Sequence, residues 1–469
     1  MVVGEIADHA DVVVLGGGPG GYTAALRAAD DGADVVLVER GGIAALGGAC
    51  LHVGCIPSKA LIELARGVHD THALAPAGLV VEGARADLAR FQEWRRELTA
   101  RLAGGVERLL ARAGVCVIAG EARFARRDRI AIRTPGDGVR FVEFGGAIVA
   151  TGSRPVELRT LPFDDERVLD STGALALTTV PTTVVVVGAG YVGIEIGTAL
   201  AKLGARVTIV EALDRVLGHL DPALARPVAE RLGALEIDVV LGATARHLDG
   251  GDLVVETANG ERRLPADVVL VAVGRRPSTS DLGLDQAGVP VGADGLIDVG
   301  ADRRAADRIA AVGDVIAGPA LAHRAYADAR VAVDALAGRP AAFDVRAMPQ
   351  VVFSDPEVAS TGLTEGEARA EGFDVAVATV PLAASGRAAT LGASSGFTRV
   401  VVDRATEQVL GVHVVGPHAS ELITEGTLAV EMAATAYDLA ATIHPHPTLS
   451  ESVAEAAALA TGERTSART

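Results

Sequence analysis

Long apolar runs punctuated by glycine, rather than alternating positions, dominate the first two thirds of the chain. Residues 11–15 (DVVVL) form a strand-length apolar run, followed at once by GGGPGG and the helical pattern YTAALRAADDGA. A second run, DVVLVER, ends in Glu39. The same succession returns in VVVVGAGYVGIEIGTALAKLGARVTIVE, whose last residue is Glu211. Strand, glycine turn, helix, strand is the pattern of a parallel βαβ unit, so two α/β modules are expected. Between them, residues 85–113 predict a long amphipathic helix with Trp94 and Leu98 as packing residues. In GVCVIAGEARF, Cys116 stands between Val115 and Val117 and reads as a small buried hydrophobe.

Further on, AIVATGSRP, ending near Pro155, reads as a strand leaving the first module, and DVVLVAVGRRPST, with Gly274, does the same for the second. The tract RIAAVGDV, carrying Asp314, and the helix behind it predict that the chain returns to the first module. From about Met348 the rhythm changes. MPQVVFSDPEVASTGLT, DVAVATVPL, GFTRVVVD and VLGVHVVGP are strand-like runs joined by turns, with helices expected near 418–434 and 450–460. That predicts a separate α+β domain built on an antiparallel sheet. The closing GERTSART is polar and expected to fray.

The glycine turns carry the first chemistry. Gly16, Gly18 and Gly21 form GxGxxG between strand and helix, and Gly188, Gly190 and Gly193 repeat it. Gly188 follows Gly16 by 172 positions, and Glu211 follows Glu39 by the same 172. In this motif the first glycine permits the tight turn, the second lets a pyrophosphate approach the backbone, and the third lets helix pack on strand. The acid at the end of the next strand accepts from ribose hydroxyls. Two matches with one internal spacing point to two dinucleotide-binding modules rather than two ordinary glycine-rich turns.

Composition narrows the class. At 469 residues the length corresponds to roughly three domains. No apolar run reaches the length of a membrane span. The first ten residues lack a basic start and apolar core, so a cytoplasmic protein without a secretory signal is expected. A formal charge of −17 gives no basic footprint for nucleic acid.

Two of the three cysteines lie in GGACLHVGCIPSK, residues 47–59. Five positions on a straight helix advance about 7.5 Å, beyond the Cα separation of about 7 Å at which a pair can be bridged. An unbroken helix cannot close Cys50 on Cys55. The glycines at 47, 48 and 54 allow the segment to fold back, and Pro57 suits the first turn of a helix carrying Lys59. A thiol near a helix start and a cation has a lowered pKa, which favours a reactive pair over an inert staple. Metal binding is the weaker reading, since no second Cys or His cluster with zinc-like spacing accompanies the pair. Of 43 basic residues only Lys59 and Lys202 are lysines. Lys59 marks a place that needs a compact ammonium, whereas Lys202 reads as a solvated helix residue.

Near the end stands HPHPTLSE, with His444, His446 and Glu451. Thr448 and Glu451 form T-x-x-E, a capping box in which the acid only satisfies an end amide. Alternatively the carboxylate orients His446 as a general base. The residues leave both readings open.

These motifs together resemble the dihydrolipoamide dehydrogenase family of class I pyridine nucleotide-disulfide oxidoreductases. The likeness covers nearly the whole chain and rests most specifically on GGACLHVGCIPSK and HPTLSE; the nucleotide fingerprints are shared by many flavoproteins. It implies an FAD-binding domain over 1–154, an NAD-binding domain over 155–276, a central domain over 277–347 and an interface domain over 348–469, working as a homodimer. FAD is then expected on Gly16, Gly18 and Gly21, with Glu39 on the ribose and Lys59, Ala122, Thr151, Gly152, Asp314 and Ala322 along the cofactor. NAD is expected on Gly188, Gly190, Gly193, Glu211 and Gly274. Tyr191 is expected to cover the flavin until nicotinamide arrives, and Glu195 to pair with Lys59. By the same resemblance Cys50 exchanges with the lipoyl sulfur and Cys55 is the charge-transfer thiolate. His446, backed by Glu451, reaches the site from the other subunit, with His444 the lesser candidate. The implied partner is a lipoyl-bearing protein of a 2-oxoacid dehydrogenase or glycine cleavage complex. Other disulfide reductases (glutathione, mycothiol, mercuric) and a non-catalytic assembly subunit are the alternatives. A mercuric reductase should show extra terminal cysteines, and TGERTSART has none; Glu211 disfavours NADPH. The family's lysine in the AHKA tract is Arg324 here, and HAHPTLSE has become HPHPTLSE; neither change touches the redox residues.

Overall fold

A computed structural model describes residues 7–136, 138–393 and 395–463. Most of the GERTSART tail and the first six positions lie outside the described residues. Both expected βαβ units form parallel sheets. In the first, Ala7–Leu15 lies between Val35–Glu39 and Val139–Val149, and Cys116–Ala119 forms the edge beyond Val35–Glu39. Ile309–Ala311 pairs in parallel with the end of Val139–Val149, so the tract around Asp314 does return to the first sheet. The second sheet runs Asp238–Val240, Arg206–Val210, Thr183–Val187, Val268–Val271, Val168–Leu169, all parallel. Inner strands such as Val35–Glu39 and Thr183–Val187 are covered on both faces, which is why they read as unbroken apolar runs. The two exit strands, Ser153–Pro155 and Arg275–Pro277, pair with each other and join the modules.

The chain after Met348 forms a third sheet, antiparallel throughout, in the order Gln350–Val352, Val358–Gly362, Val409–Val415, Phe397–Asp403, Val375–Pro381. Helices Ala419–Glu431 and Glu451–Ala460 pack on it. A short helix between them, Ala436–Ala441, is not signalled by the apolar pattern. Its start is a capping box between Thr435 and Asp438. One hydrophobic cluster joins Leu61 and Ala65, Phe91, Ile194 and Ile209 to Val352, Phe397 and Val415 of the third sheet.

Three expectations are corrected. The long helix is Leu88–Arg112, started by Asp87, whose side chain accepts from the Arg90 amide. Trp94 on it is 52 % exposed and Leu98 only half-buried. The inward face is instead Leu88, Phe91, Gln92, Thr99, Ala103 and Leu110, because the Gln92 amide reaches in to the carbonyls of Leu175 and Leu177 at 3.0 and 2.8 Å. Trp94, two positions on, keeps a contact with the Phe91 ring, 6.0 Å between centroids, and is otherwise turned to solvent. Cys116 is exposed, since it opens an edge strand in which Ile118 takes the buried position, while Val115, just before the strand, is buried instead. Lys202 is no solvated residue: its side chain is 11 % exposed and pairs with Asp355 at 2.8 Å, because the third sheet reaches across the end of its helix.

The third sheet also encloses a neutral histidine. His413 is 1 % exposed; its Nε2 donates to the Leu363 carbonyl at 3.2 Å, and its Nδ1 accepts from Ser360 Oγ at 2.8 Å. Burial pushes its pKa down from 6.5 to about 4. Between those values the unfolded chain binds the proton and the folded chain does not. The stabilisation is therefore complete above pH 6.5 and is lost as pH falls towards 4, to a total of about 3 kcal/mol. His413→Gln, which keeps a donor and an acceptor, should flatten the fall in thermal unfolding midpoint over this range. An unchanged pH dependence in the variant would remove His413 as its source.

Candidate active site

The two glycine turns divide their work identically. Gly16 and Gly188 have φ of +102° and +106°, and a Cβ there would stand 2.5 and 2.6 Å from the carbonyl oxygens of Ala150 and Ala272. A Cβ on Gly21 or Gly193 would fall 1.8 or 2.0 Å from the carbonyl oxygen of the first glycine, so the helix could not pack on the turn. At Gly18 and Gly190 an added Cβ meets no protein atom within 4 Å. The fold itself requires the first and third glycines; the second is required only by something lying against it. Gly18 and Gly190 also cap the helices Pro19–Asp30 and Tyr191–Lys202, neither of which has a side-chain cap. Open amides at a helix start, with space before them, suit a pyrophosphate.

The acids follow the same rule. Glu39 accepts from the Gly17 amide at 2.7 Å and Glu211 from the Ala189 amide at 2.6 Å. Their second oxygens face the amides of Gly41 and Leu213 at 3.4 and 2.9 Å. The sequence offset of the two copies is thus kept bond by bond.

Each turn opens into its own cavity. The first, about 340 Å³, is lined by Gly16, Gly18, Glu39, Lys59, Thr151, Gly152, Asp314 and Ala322, and by both Cys50 and Cys55. The second, about 800 Å³, is lined by Gly188, Gly190, Glu211 and Gly274. Gly21 and Gly193 sit behind their turns. Ala122 lies outside both linings, on the strand Glu121–Arg126, with its side chain against the cluster around Phe124 and Ile132. Glu195 lines the first cavity, and Tyr191 lines both. The tyrosine is therefore part of the wall between them, and burial raises its pKa and keeps it neutral. Ser153 and Arg275, which the motif reading passed over, tie the exit strands to this wall: Arg275 Nε donates to Ser153 Oγ at 2.7 Å, and that hydroxyl donates to the Asp314 carboxylate. Their signal lay in the paired GSRP and GRRP motifs. Arg324 turns inward, 4 % exposed, donating to the Ala317 and Pro319 carbonyls.

The cysteines sit on two helices, Gly48–Val53 and Cys55–Ala73, broken at Gly54. Gly48 is pressed on the first turn, where a Cβ would come 2.8 Å from Gly18 Cα. Both cysteines are thiols. Cys55, the first residue of its helix, opens into the cavity. Its pKa is lowered to about 7 by the hydrogen bond from the Cys50 thiol and then by the Lys59 ammonium, against the opposing effect of burial. Cys50 is raised, because it holds the proton of that bond. Lys59 Nζ lies 2.8 Å from Glu195 Oε2 and 4.3 Å from the centroid of the Phe353 ring. Glu195 is 3 % exposed, and its other oxygen accepts from the Phe353 amide at 2.9 Å.

At the far end of the chain no capping box forms, because the helix starts at Glu451 itself and Thr448 Oγ1 donates to the Pro445 carbonyl; Glu451 instead serves an amide and the histidine, one on each oxygen. Oε2 accepts from the Thr448 amide at 2.8 Å, and Oε1 accepts from His446 Nδ1 at 2.8 Å. The amide bond and the histidine hold the carboxyl below the usual range. The His446 side chain is 81 % exposed and lines neither cavity of its own chain. His444 is taken up by Glu425 at 2.8 Å and is 8 % exposed.

Residues 10–329 match the sequence family described as pyridine nucleotide-disulphide oxidoreductase, and residues 348–457 match the dimerisation domain of that family. The dihydrolipoyl dehydrogenases of Geobacillus stearothermophilus and Halobacterium salinarum are each 45 % identical to this chain, over 98 % of it and 98 % of their own length. That of Bacillus subtilis is 41 % identical over the same shares. Among solved structures, LpdA of Mycobacterium tuberculosis superposes with a TM-score of 0.89 at 29 % identity, covering 96 % of this chain and 99 % of that one. RclA, the HOCl-induced flavoprotein disulfide reductase of Escherichia coli, does so with 0.84 at 28 % identity over the same shares. With a dithiol beside one nucleotide turn, a second turn beyond a shared wall and these likenesses over almost its full length, the chain belongs to the pyridine nucleotide-disulphide oxidoreductase family.

Proposed function

We infer that the chain is a dihydrolipoyl dehydrogenase, an FAD-dependent enzyme that oxidises dihydrolipoamide to lipoamide and reduces NAD⁺ to NADH. The observation that carries this reading is the dithiol, with its low-pKa Cys55, in the same cavity as the first nucleotide turn. The names of the full-length relatives supply the substrate. FAD fits the first cavity, with its pyrophosphate at Gly18, its ribose at Glu39 and Thr151, Gly152, Asp314 and Ala322 along it; Ala122, outside that lining, is not among the residues this structure offers the cofactor. NAD fits the second, at Gly190 with Glu211 and Gly274. The division into domains at 154, 276 and 347 follows the same assignment. FAD, when bound, accepts an electron pair from the dithiol and delivers it to NAD⁺ as hydride.

The chain's own residues do the thiol chemistry. In the oxidised enzyme a lipoyl thiolate attacks the Cys50 sulfur, and the Cys50–Cys55 bond breaks with its electrons on Cys55. A sulfur of low pKa leaves readily, and Lys59 stabilises its charge. The second lipoyl thiol then attacks the lipoyl sulfur of the mixed disulfide, releasing reduced Cys50 and cyclic oxidised lipoamide. His446 takes the thiol protons, and Glu451 holds its Nδ1 so that Nε2 is the basic atom. Because His446 lines neither cavity of its own chain, it serves the partner's, in a homodimer formed through residues 348–469. Exposed apolar side chains on that part (Leu428, Met432, Tyr437 and Ile443, 60–95 % exposed) support a covered face there. The lipoyl group is expected on a carrier protein of a 2-oxoacid dehydrogenase or glycine cleavage complex, in the cytoplasm. No helix among the described residues is long and apolar enough to cross a membrane.

The substrate assignment is tested by steady-state rates with dihydrolipoamide, glutathione disulfide and mycothiol disulfide, each with both nicotinamides. Turnover of dihydrolipoamide with NAD⁺ should exceed the rest. Glu211→Ala should narrow the preference for NAD⁺ over NADP⁺, since a 2′-phosphate beside that carboxylate sets two anions together; equal use of both by the unaltered enzyme would refute this role. The cysteine roles predict a long-wavelength charge-transfer band in resting Cys50→Ser and none in Cys55→Ser. The reverse pattern would exchange the two assignments. His446→Ala should lose about 10²–10⁴-fold of lipoamide turnover while NADH oxidation by an artificial acceptor survives. Mixing His446→Ala with Cys50→Ser subunits should restore activity, because one site of the heterodimer then carries neither change. No recovery in heterodimers verified by mass would place His446 with its own cysteines or outside the mechanism.

A further inference from the structure

The only two lysines of the chain meet one short segment. Lys59 lies over the Phe353 ring, 4.3 Å from its centroid, and Lys202 pairs with Asp355 at 2.8 Å. Between them runs the helix Tyr191–Lys202, whose Glu195 holds Lys59 on one oxygen and the Phe353 amide on the other. Arg231, from the helix Pro222–Ala234, joins Asp355 at 3.0 Å. Burial pushes the Asp355 carboxyl up, but Lys202 and Arg231 outweigh it and hold it below its ordinary value. The segment leaving the strand Gln350–Val352 is thus fixed at Phe353 by ring and amide and at Asp355 by charge. All the other basic residues of the chain are arginines.

We propose that Phe353 is a positioning residue of the redox centre: its ring and its backbone amide fix Lys59 and Glu195 as a pair beside Cys55, so that a segment of the dimerisation domain sets the charge felt by that sulfur. The proposal rests on Cys55 being the thiolate partner, as inferred above. The ring covers one side of the ammonium, whose side chain is 32 % exposed elsewhere. With the ring gone, water screens Lys59 and its pull on Cys55 weakens. The charged and titratable groups around Cys55 are Cys50 and Lys59 from its own segment, Glu195 and Tyr191 from the helix Tyr191–Lys202, and Tyr326 from the helix Ala322–Leu336. Phe353 touches two of them, Lys59 and Glu195. The Cys50 hydrogen bond is left in place, so the shift expected on removing the ring is partial, about half a pH unit to one unit.

The test uses two-electron-reduced holoenzyme without oxygen. The rate of iodoacetamide alkylation at Cys55, located by mass spectrometry, is followed against pH together with the long-wavelength band. Phe353→Leu should raise the Cys55 ionisation midpoint by that amount in both readouts, and Phe353→Tyr should return it to the unaltered value. Phe353→Met, which fills the space without a ring, replaces Phe353→Leu if the latter does not retain FAD. Asp355→Asn, which frees the same segment from Lys202 and Arg231 but keeps the ring, should leave the midpoint in place. An unmoved midpoint in the ringless variants overturns the proposal. So does a shift in Asp355→Asn as large as in Phe353→Leu, since segment placement alone would then account for it. If Cys55 of the unaltered enzyme showed no lowered midpoint, the thiolate assignment itself would fail, and the two failures are told apart.

Discussion

A carboxylate that is 3 % exposed must have both oxygens satisfied, and Glu195 satisfies them from two directions. One comes from the redox helix, through Lys59, and the other from the third sheet, through the Phe353 amide. A carboxylate this deeply buried is costly to leave without its partners, so the three regions that meet at it do not part cheaply. The hydrophobic cluster that runs from Leu61 through Ile194 to Phe397 crosses the same boundary. What this junction fixes is the distance between two cavities. They share Tyr191 as a wall because the helix that begins with Tyr191 also carries Glu195, one turn further on.

Given that frame, two copies of one turn can take different work. The turns themselves do not differ: the same glycines are forced by the same carbonyl contacts, and the same acid oxygen accepts the same amide. The difference lies in what the chain does after the acid. Past Glu39 the backbone enters the two broken helices that press Gly48 on the first turn and bring both thiols into its cavity. Past Glu211 no such segment intervenes. The chain passes to the helix Pro222–Ala234 and leaves a wider cavity lined by Leu213 and His219. One copy carries the redox residues in its cavity and the other is wider and has none.

The parts legible in the sequence were those set by local geometry. Glycine spacing, apolar runs and the change of rhythm near Met348 each depend on neighbours a few positions away, and the sheets follow them. Side-chain facing was less legible where a polar group decided it. Trp94 is larger and more apolar than Gln92, yet Gln92 turns inward because two carbonyls wait there. Cys116 alternates with valines, yet edge position exposes it. Lys202 looks solvated until Asp355, 153 positions later, arrives over it. Ser153 and Arg275 act only as a pair, across the joint of two strands that the chain places far apart.

The asymmetry of the two cysteines, by contrast, is a consequence of spacing that needs no distant partner. Cys55 is the first residue of its helix, where free amides and the dipole favour an anion. Lys59 stands four positions on, one turn along the same face, which sets its ammonium on the side of that sulfur. Cys50 has neither advantage. It lies within a six-residue helix ending before Gly54, and the strongest partner it finds is the Cys55 sulfur, to which it donates a hydrogen bond while keeping its proton. The order Cys, four residues, Cys, three residues, Lys therefore already separates a protonated from an ionised partner within one local segment. Glu195, which pairs with Lys59 from a distant part of the chain, works against the thiolate at Cys55. Its contribution is to hold the ammonium in place, so a buried countercharge that disfavours the anion is retained for the position it enforces.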